Sequence, residues 1–396
     1  MIRAITGFLV AVVLLATPVW AQRAADPMLI RAAVLRVDAQ TLRPISRLEL
    51  PTADLGFAGA RLAIEDNDTT GRFMGQDFEA QEVATGPDGA NAALDSLIGA
   101  GIAFIVVLAD DQTTLALADR AGDRATILNA RARGDALRGA DCRANIIHVA
   151  PSHAMIADAL AQFLMWKNWP RWFLVEGSHP ADTDLADAYR RAASKFGAKI
   201  VETRVYEDTG GARRTDSGHV QVQKQMPVFT QRAPAYDVMI AADDSDVFAP
   251  YLPYQTWDPR PVAGSVGLVP RTWHPAMEAW GASQFQNRFE ELAGRPMREV
   301  DYQTWLALRM IGEAATRTGS ADPAVLRDFL LSDRFEVAGF KGQKLTIRDW
   351  DQQLRQPILL TTGDLMASVS PQGQYLHQVS QLDTLGIDRP ETECSF

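Results

Sequence analysis

The sequence has little with which to build a metal or redox centre. Only two cysteines and six histidines occur in 396 residues. His148, His153, His179, His219, His274 and His377 show no i, i+4 pairing and no cysteine partner, so a zinc site has little support. No G-x-S-x-G elbow, phosphate-binding loop or dinucleotide fingerprint is found, so no catalytic signature supports an enzyme, although dispersed acids and histidines could still form a site. Positive charge is also short. Lys and Arg number 39 against 49 Asp and Glu, a net charge of −10, so no basic field is available for nucleic acid. Repeats of solenoid period and low-complexity tracts are absent.

The one long apolar run stands at the start. Arg3 supplies a positive n-region, Gly7 to Ala16 is unbroken apolar sequence, and Val19-Trp20-Ala21 offers a cleavage site. The run is too short for a stable span of a bilayer core of about 30 Å. Residues 1–21 are therefore expected to be a cleaved secretory leader, placing the protein in the periplasm. No cysteine follows the cleavage site to carry a lipid. Losing Arg3 with the leader takes the net charge from −10 to −11. The remaining chain of about 375 residues is longer than one core usually serves, so two domains are expected. In an exported chain, Cys142 and Cys394 read as a disulfide holding the C-terminal tail to the body, the alternative being two unpaired thiols.

Strand and helix patterns alternate along the chain, as in βαβ units with parallel sheets. Strands are expected at 30–37, 77–84, 102–108 and 125–129, with helices at 55–65, 90–100 and 115–121. The rhythm restarts at Ile146, with helices at 153–166 and 183–196 and strands at 172–176, 199–206 and 236–242. Residues 210–225 read as a surface loop. Val262–Gly267 begins a return segment, followed by helices at 276–294 and 302–318 and a cap with strands at 335–347, 355–360 and 374–378. The expected fold is α/β, two doubly wound parallel-sheet lobes about a hinged cleft. Lobe I comprises 25–147 and 262–332, lobe II 148–261 and 333–380, and the tail 381–396. Crossovers fall near His148, Pro261 and Asp333.

Ligands of open α/β sheets collect beyond the carboxyl ends of strands, and the residues found there form a candidate site. In the first half these are Arg36, Asp110, Gln112 and Arg131. In the second half they are Glu176, His179, Asp243 and Arg271. Trp257, Trp273 and Trp305 gather around the return segment. Trp faces beside guanidinium groups suit a planar anion, with Trp273 stacking on rings and Arg36, Arg131 and Arg271 supplying charge. Asp66-x-Asp68-x-Thr70-Gly71, with Asp77 in the twelfth place, half-matches a calcium loop. A helix-ending turn accounts for it more simply.

Ile30–Arg36 (IRAAVLR), Glu65–Arg72 (EDNDTTGR), Ile146–Leu164 (IIHVAPSHAMIADALAQFL) and Tyr236–Asp244 (YDVMIAADD) together resemble type I periplasmic substrate-binding proteins of the branched-chain amino-acid class. The resemblance implies two α/β lobes joined by three crossovers that close on a ligand. Amino-acid binders carry Gly and Ser after the fourth-strand region, whereas Leu108–Thr114 here holds Asp110 and Asp111. Ala140–Asn145, Tyr251–Pro261, Phe340–Leu345, Leu354–Pro357, Leu382–Gly386 and the late Cys394 resemble a subgroup of ABC-transporter-type binding proteins. That subgroup is associated with pyrroloquinoline-quinone-dependent alcohol dehydrogenase systems. It implies pyrroloquinoline quinone as bound ligand, no catalytic cofactor, an ABC permease or a quinoprotein dehydrogenase as partner, and a monomer. Another organic acid or amino acid as ligand, or a ligand-free partner of the dehydrogenase, remains the alternative.

Overall fold

Continuous apolar runs become strands covered on both faces. The computed structural model describes residues 27–39, 42, 44–209 and 219–396; the expected leader and residues 210–218 of the expected loop lie outside them. β1 (Met28–Val37), β2 (Gln76–Thr85), β3 (Phe104–Leu108), β4 (Thr126–Asn129) and β5 (Ile146–His148) form a parallel sheet of order β2-β1-β3-β4-β5. Every residue of β3, β4 and β5 is buried, as helices on both sides require. Alternate side chains of β1 and β3 serve two cores. Ala33, Leu35, Ile105 and Val107 meet α2 (Ala90–Gly99) and α3 (Asp111–Ala121). Ala32, Val34, Phe104 and Val106 meet α1 (Phe57–Met74), α7 (Ala282–Ala293) and α8 (Glu299–Thr318).

The polar stretch 66–71 does not end α1. It is helical, and neither a turn nor a calcium loop. Its polar side chains find partners on α7 and α8: Asp66 accepts from the Trp305 indole at 2.8 Å and pairs with Arg288. Buried Asn67 donates to the Leu308 carbonyl at 3.1 Å and accepts from Arg309. With those groups satisfied the helix runs on to Gly75, whose φ of 67° ends it in the left-handed region. Gly59 permits the close approach of α8, since a Cβ there would stand 2.0 Å from the Asp301 carbonyl oxygen.

A second parallel sheet contains β6 (Arg171–Gly177), β7 (Lys199–Tyr206), β8 (Val238–Ala242) and β9 (Val262–Gly264), in the order β7-β6-β8-β9. α4 (His153–Trp166) and α5 (Pro180–Phe196) cover one face, and α6 (His219–Thr230) packs toward the other. Residues 219–225, expected in a loop, thus belong to a helix. The return segment at Val262, expected to open the first lobe's second portion, pairs with β8 of the second sheet. Trp273 and Met277 are the residues that rejoin the first core, followed by α7, α8 and α9 (Pro323–Leu330). α9 went unforeseen, although Asp322 caps it and Pro323 starts it.

The chain ends in irregular antiparallel structure. β10 (Val269–Arg271) pairs with β14 (Ile358–Thr362), which pairs with β15 (Leu365–Ser370). β11 (Val337–Ala338), β12 (Lys344–Ile347) and β13 (Leu354–Arg355) form another small sheet. The strand expected at 374–378 is absent. His377 there ties up the chain, bonding Asp388 and accepting from the Val379 amide.

Cys142 and Cys394 are disulfide-bonded, with Cα atoms 5.6 Å apart and a sequence separation of 252. The tail is also held by polar contacts. Asp158, fully buried on α4, pairs with Arg191 and Lys195 and accepts from the Gly386 amide, while Arg348 and Arg355 hold Asp383. Replacing both cysteines by serine should cost roughly 2–5 kcal/mol in denaturant unfolding, because the bridge restricts a very long loop in the unfolded chain. An unchanged midpoint would show the polar contacts suffice.

Lys341 generates a second expectation. Its ammonium is buried, donating to Gln356 Oε1 at 2.8 Å and the Pro357 carbonyl at 3.0 Å. Burial pulls its pKa from an ordinary 10.5 down to about 7. Between those values the unfolded chain keeps a proton that the folded chain has lost, so this group makes stability rise with pH. Lys341→Met should flatten the stability profile between pH 7 and 10 relative to the parent. Identical slopes would refute it.

Candidate functional site

The carboxyl ends of both parallel sheets open onto one cleft, lined from both lobes. A narrow hollow of about 160 Å³ is bordered by Arg133 beyond β4, His153 and Tyr189 on α4 and α5, Asp243 and Ser265 beyond β8 and β9, and Glu299 on α8. A wider hollow of about 510 Å³ adjoins it, since Gly134 and Asp184, on its wall, neighbour Arg133 and Leu185 of the narrow one.

In the narrow hollow Glu299 joins three parts of the chain. Arg133 approaches its carboxylate at 3.0 Å and Arg271 at 3.3 Å, while Thr272 donates both its amide and its hydroxyl. Burial pushes the carboxyl pKa up, but the two guanidinium groups and the Thr272 bonds outweigh it and hold it below its ordinary value. Asp243 is a turn-former, accepting from the amides of Val247, Phe248 and Ala249. Burial pushes it up to about 6 despite those bonds. His153 is 5% exposed, and its Nδ1 is buried without a hydrogen-bond partner.

The wide hollow is acidic. Asp111, Asp135 and Asp141 come from the first lobe, and Asp184 and Asp187 from α5. Asp111 accepts from the Gly134 amide, Asp135 from the Ala154 amide, and Asp187 pairs with Arg190 at 2.7 Å. Arg191, on the same wall, is engaged by Asp158 and Glu391.

Of the residues singled out from sequence, Gln112, Asp243 and Arg271 line the cleft. The others serve elsewhere. Arg36 pairs with Asp38 and donates to the carbonyls of Ala53 and Leu55, fixing the loop into α1. Asp110 caps α3 by accepting from Thr113. Arg131 and Trp257 are exposed and line neither hollow. Glu176 is held by Arg190 at 2.6 Å, and His179 caps α5 and bonds Asp208. Trp273, expected to stack on a ligand, is 1% exposed, stacks on Tyr302 and donates to Gln286. Trp305 is equally buried, packed 4.4 Å from the Phe285 ring centre. Both tryptophans lie on the helical face that covers the first sheet, and an aromatic there gains more from the core than from the cleft.

His153, Tyr189, Asp184, Asp187 and Glu299 were missed. The strand-end rule stops at the loop, whereas Asp184 and Asp187 sit within the first turns of α5, three residues apart and so on one face. Glu299 starts a helix distant in sequence from every strand end of the first sheet.

A family model described as periplasmic binding protein matches residues 51–216. The fold is shared with the leucine-, isoleucine-, valine-, threonine- and alanine-binding protein from Brucella ovis in its closed conformation, at 16% identity and a TM-score of 0.70 over 87% of this chain and 95% of that one. An ABC transporter substrate-binding protein from Sphaerobacter thermophilus aligns at 17% identity and a TM-score of 0.69, over 87% and 98% of the two chains. A solute-binding protein of an ABC transporter from Rhodopseudomonas palustris BisB5, in complex with 3,4-dihydroxybenzoic acid, aligns at 12% identity and 0.64, over 86% and 97%. No curated protein matches the sequence. The architecture is thus that of the type I periplasmic binding proteins, as expected from sequence.

Removing Glu299 would leave two guanidinium groups facing each other in a half-buried hollow. Glu299→Ala should lower stability by roughly 3 kcal/mol, as breaking buried pairs does. Chemical denaturation measures it, and a loss below about 0.5 kcal/mol would make Glu299 a surface-like pair.

Proposed function

We propose that the protein is an exported, periplasmic solute receptor that holds a small organic molecule between its lobes and presents it unchanged to an ABC permease. What carries the reading is the convergence of both sheets' carboxyl ends on one cleft walled by both lobes. A ligand touching both walls binds the closed form better, so its binding energy draws the lobes together. The lobes are joined at three crossings. The first lies at 149–153, since Val149 belongs to the first core and Ala157 to the second. The second lies after Arg271 and before Trp273, and the third between Leu354 and Leu360. This moves the second and third crossings C-terminal of Pro261 and Asp333. The Brucella ovis protein is named for binding leucine, isoleucine, valine, threonine and alanine, and that from Rhodopseudomonas palustris holds 3,4-dihydroxybenzoic acid, so a receptor on this fold takes either kind of solute.

The narrower reading, with pyrroloquinoline quinone as ligand and a quinoprotein dehydrogenase as partner, draws on the likeness of segments such as Tyr251–Pro261. Arg133 and Arg271 in the narrow hollow suit an anion. Against it stand the carboxylates of the wide hollow, and the burial of Trp273 that was to stack on the rings. An amino acid or other small organic solute suits the cleft better.

Native mass spectrometry of protein taken from its own periplasm should show a small molecule bound. Small-angle scattering should show compaction when that molecule is restored to stripped protein. A ligand-free protein that gives no heat with amino acids, aromatic acids or the quinone, and no compaction, would overturn the receptor reading in favour of a protein partner.

A further inference from the structure

We infer that the solute carries at least two positive charges spaced along an extended chain, as in a diamine or a guanidino-alkylamine, and that these charges let the lobes close. The inference rests on the receptor reading and names the chemistry of its ligand.

The wide hollow sets Asp111, Asp135 and Asp141 of one lobe opposite Asp184 and Asp187 of the other. Compensation within it is incomplete: Arg138 draws on Asp111 and Asp135 through space, and Arg143 on Asp141, but neither forms an ion pair with them. Arg191 is committed to Asp158, the Gly386 carbonyl and Glu391. Arg190 divides itself between Asp187 and Glu176. Asp184 and the Asp141 carboxylate make no hydrogen bond or ion pair with described residues. Burial, with Asp111, Asp187 and Asp135, holds the Asp184 carboxyl above its ordinary value, although His153 pulls the other way. The repulsion is therefore already felt, and moving the walls together strengthens it inversely with distance. A solute bearing cationic groups converts that repulsion into attraction on both walls at once.

The carboxylates are dispersed. Among the described residues no three acids, histidines or cysteines stand close enough to share a metal ion, so a compact divalent cation does not answer the arrangement. Two separated cationic groups do. An independent sign of a ligand comes from the adjoining narrow hollow. His153 is buried there with Nδ1 unpartnered. Buried polar atoms are nearly always paired, so the solute's polar end has a partner waiting for it. Arg133 and Arg271 bring two positive charges to the single carboxylate of Glu299, an excess that a solute carboxylate would offset, which makes a basic amino acid a member of the class.

Calorimetry on the mature chain, with putrescine, agmatine, arginine, leucine and pyrroloquinoline quinone as probes, tests the assignment. At least one of the first three should bind, more weakly as salt rises. The Asp184→Asn/Asp187→Asn double variant, altered only at exposed side chains, should lose at least tenfold in affinity for it. Circular dichroism and the unfolding midpoint confirm that the variant is folded. Binding of leucine or the quinone without any of the cationic probes would overturn the charge assignment and leave the receptor reading intact. A double variant as tight as the parent would overturn it too. No heat from any probe, with no ligand found in native protein, would remove both.

Discussion

Where two chain segments cross between the lobes, backbone carbonyls face a dry interior and must be paired. Gln353 does most of this. Its amide donates to the carbonyls of His148 and Ala150, each at 3.1 Å, and its carbonyl oxygen accepts from Arg138 at 2.9 Å. Gln356 donates to the Val149 carbonyl at 2.7 Å and accepts from Lys341. Arg138 reaches the carbonyls of Ala132 and Ala150. Burial pulls this guanidinium down to about 10, while Asp111, Asp135 and Asp351 work to keep it charged. Unpaired buried carbonyls would be costly, so the first and third crossings hold one register against each other. The positions of Arg133, Asp135 and His153, all within a few residues of this hub, follow from it.

The tail adds a covalent link at the same place. Cys142 belongs to the loop entering β5 of the first sheet, and its partner Cys394 ends a tail that also contacts α4 and α5 of the second sheet and Arg348 and Arg355 of the C-terminal cap. Ile387 of that tail also forms part of the wide hollow's wall. One strap therefore touches both lobes and the cleft. Asp158 is what holds it: a fully buried carboxylate with two cations and an amide around it is costly to leave unpaired.

Charge separates the cleft into two parts. Glu299 binds two guanidinium groups into a tight cluster in the narrow hollow, whereas in the wide hollow Asp111, Asp135 and Asp187 are partly engaged and the carboxylates of Asp141 and Asp184 pair with no described residue. Net charge could not reveal this division, since an excess of acids over the whole surface is compatible with an acidic or a basic pocket.

Hydrophobic periodicity was enough to establish an α/β chain with two parallel sheets, because buried parallel strands read as apolar runs whatever their neighbours are. The cysteine pair was legible for a different reason, as an isolated pair has few fates once export is expected, and the structure joins it. Other features depended on partners far away in sequence. Whether Asp66–Gly71 is a turn or a helix turned on Trp305, Arg288 and Arg309, more than 200 residues on. Trp273 and Trp305 could have faced a ligand or a core, and Tyr302, Phe285 and Gln286 claimed them for the core. The two-residue and three-residue strands of the C-terminal cap carry too few side chains for any period to register. The sequence by itself determined what kind of layers this chain builds. Only tertiary structure decided which polar groups remain unpaired at their edges, because pairing is a property of distance in space and not of spacing along the chain.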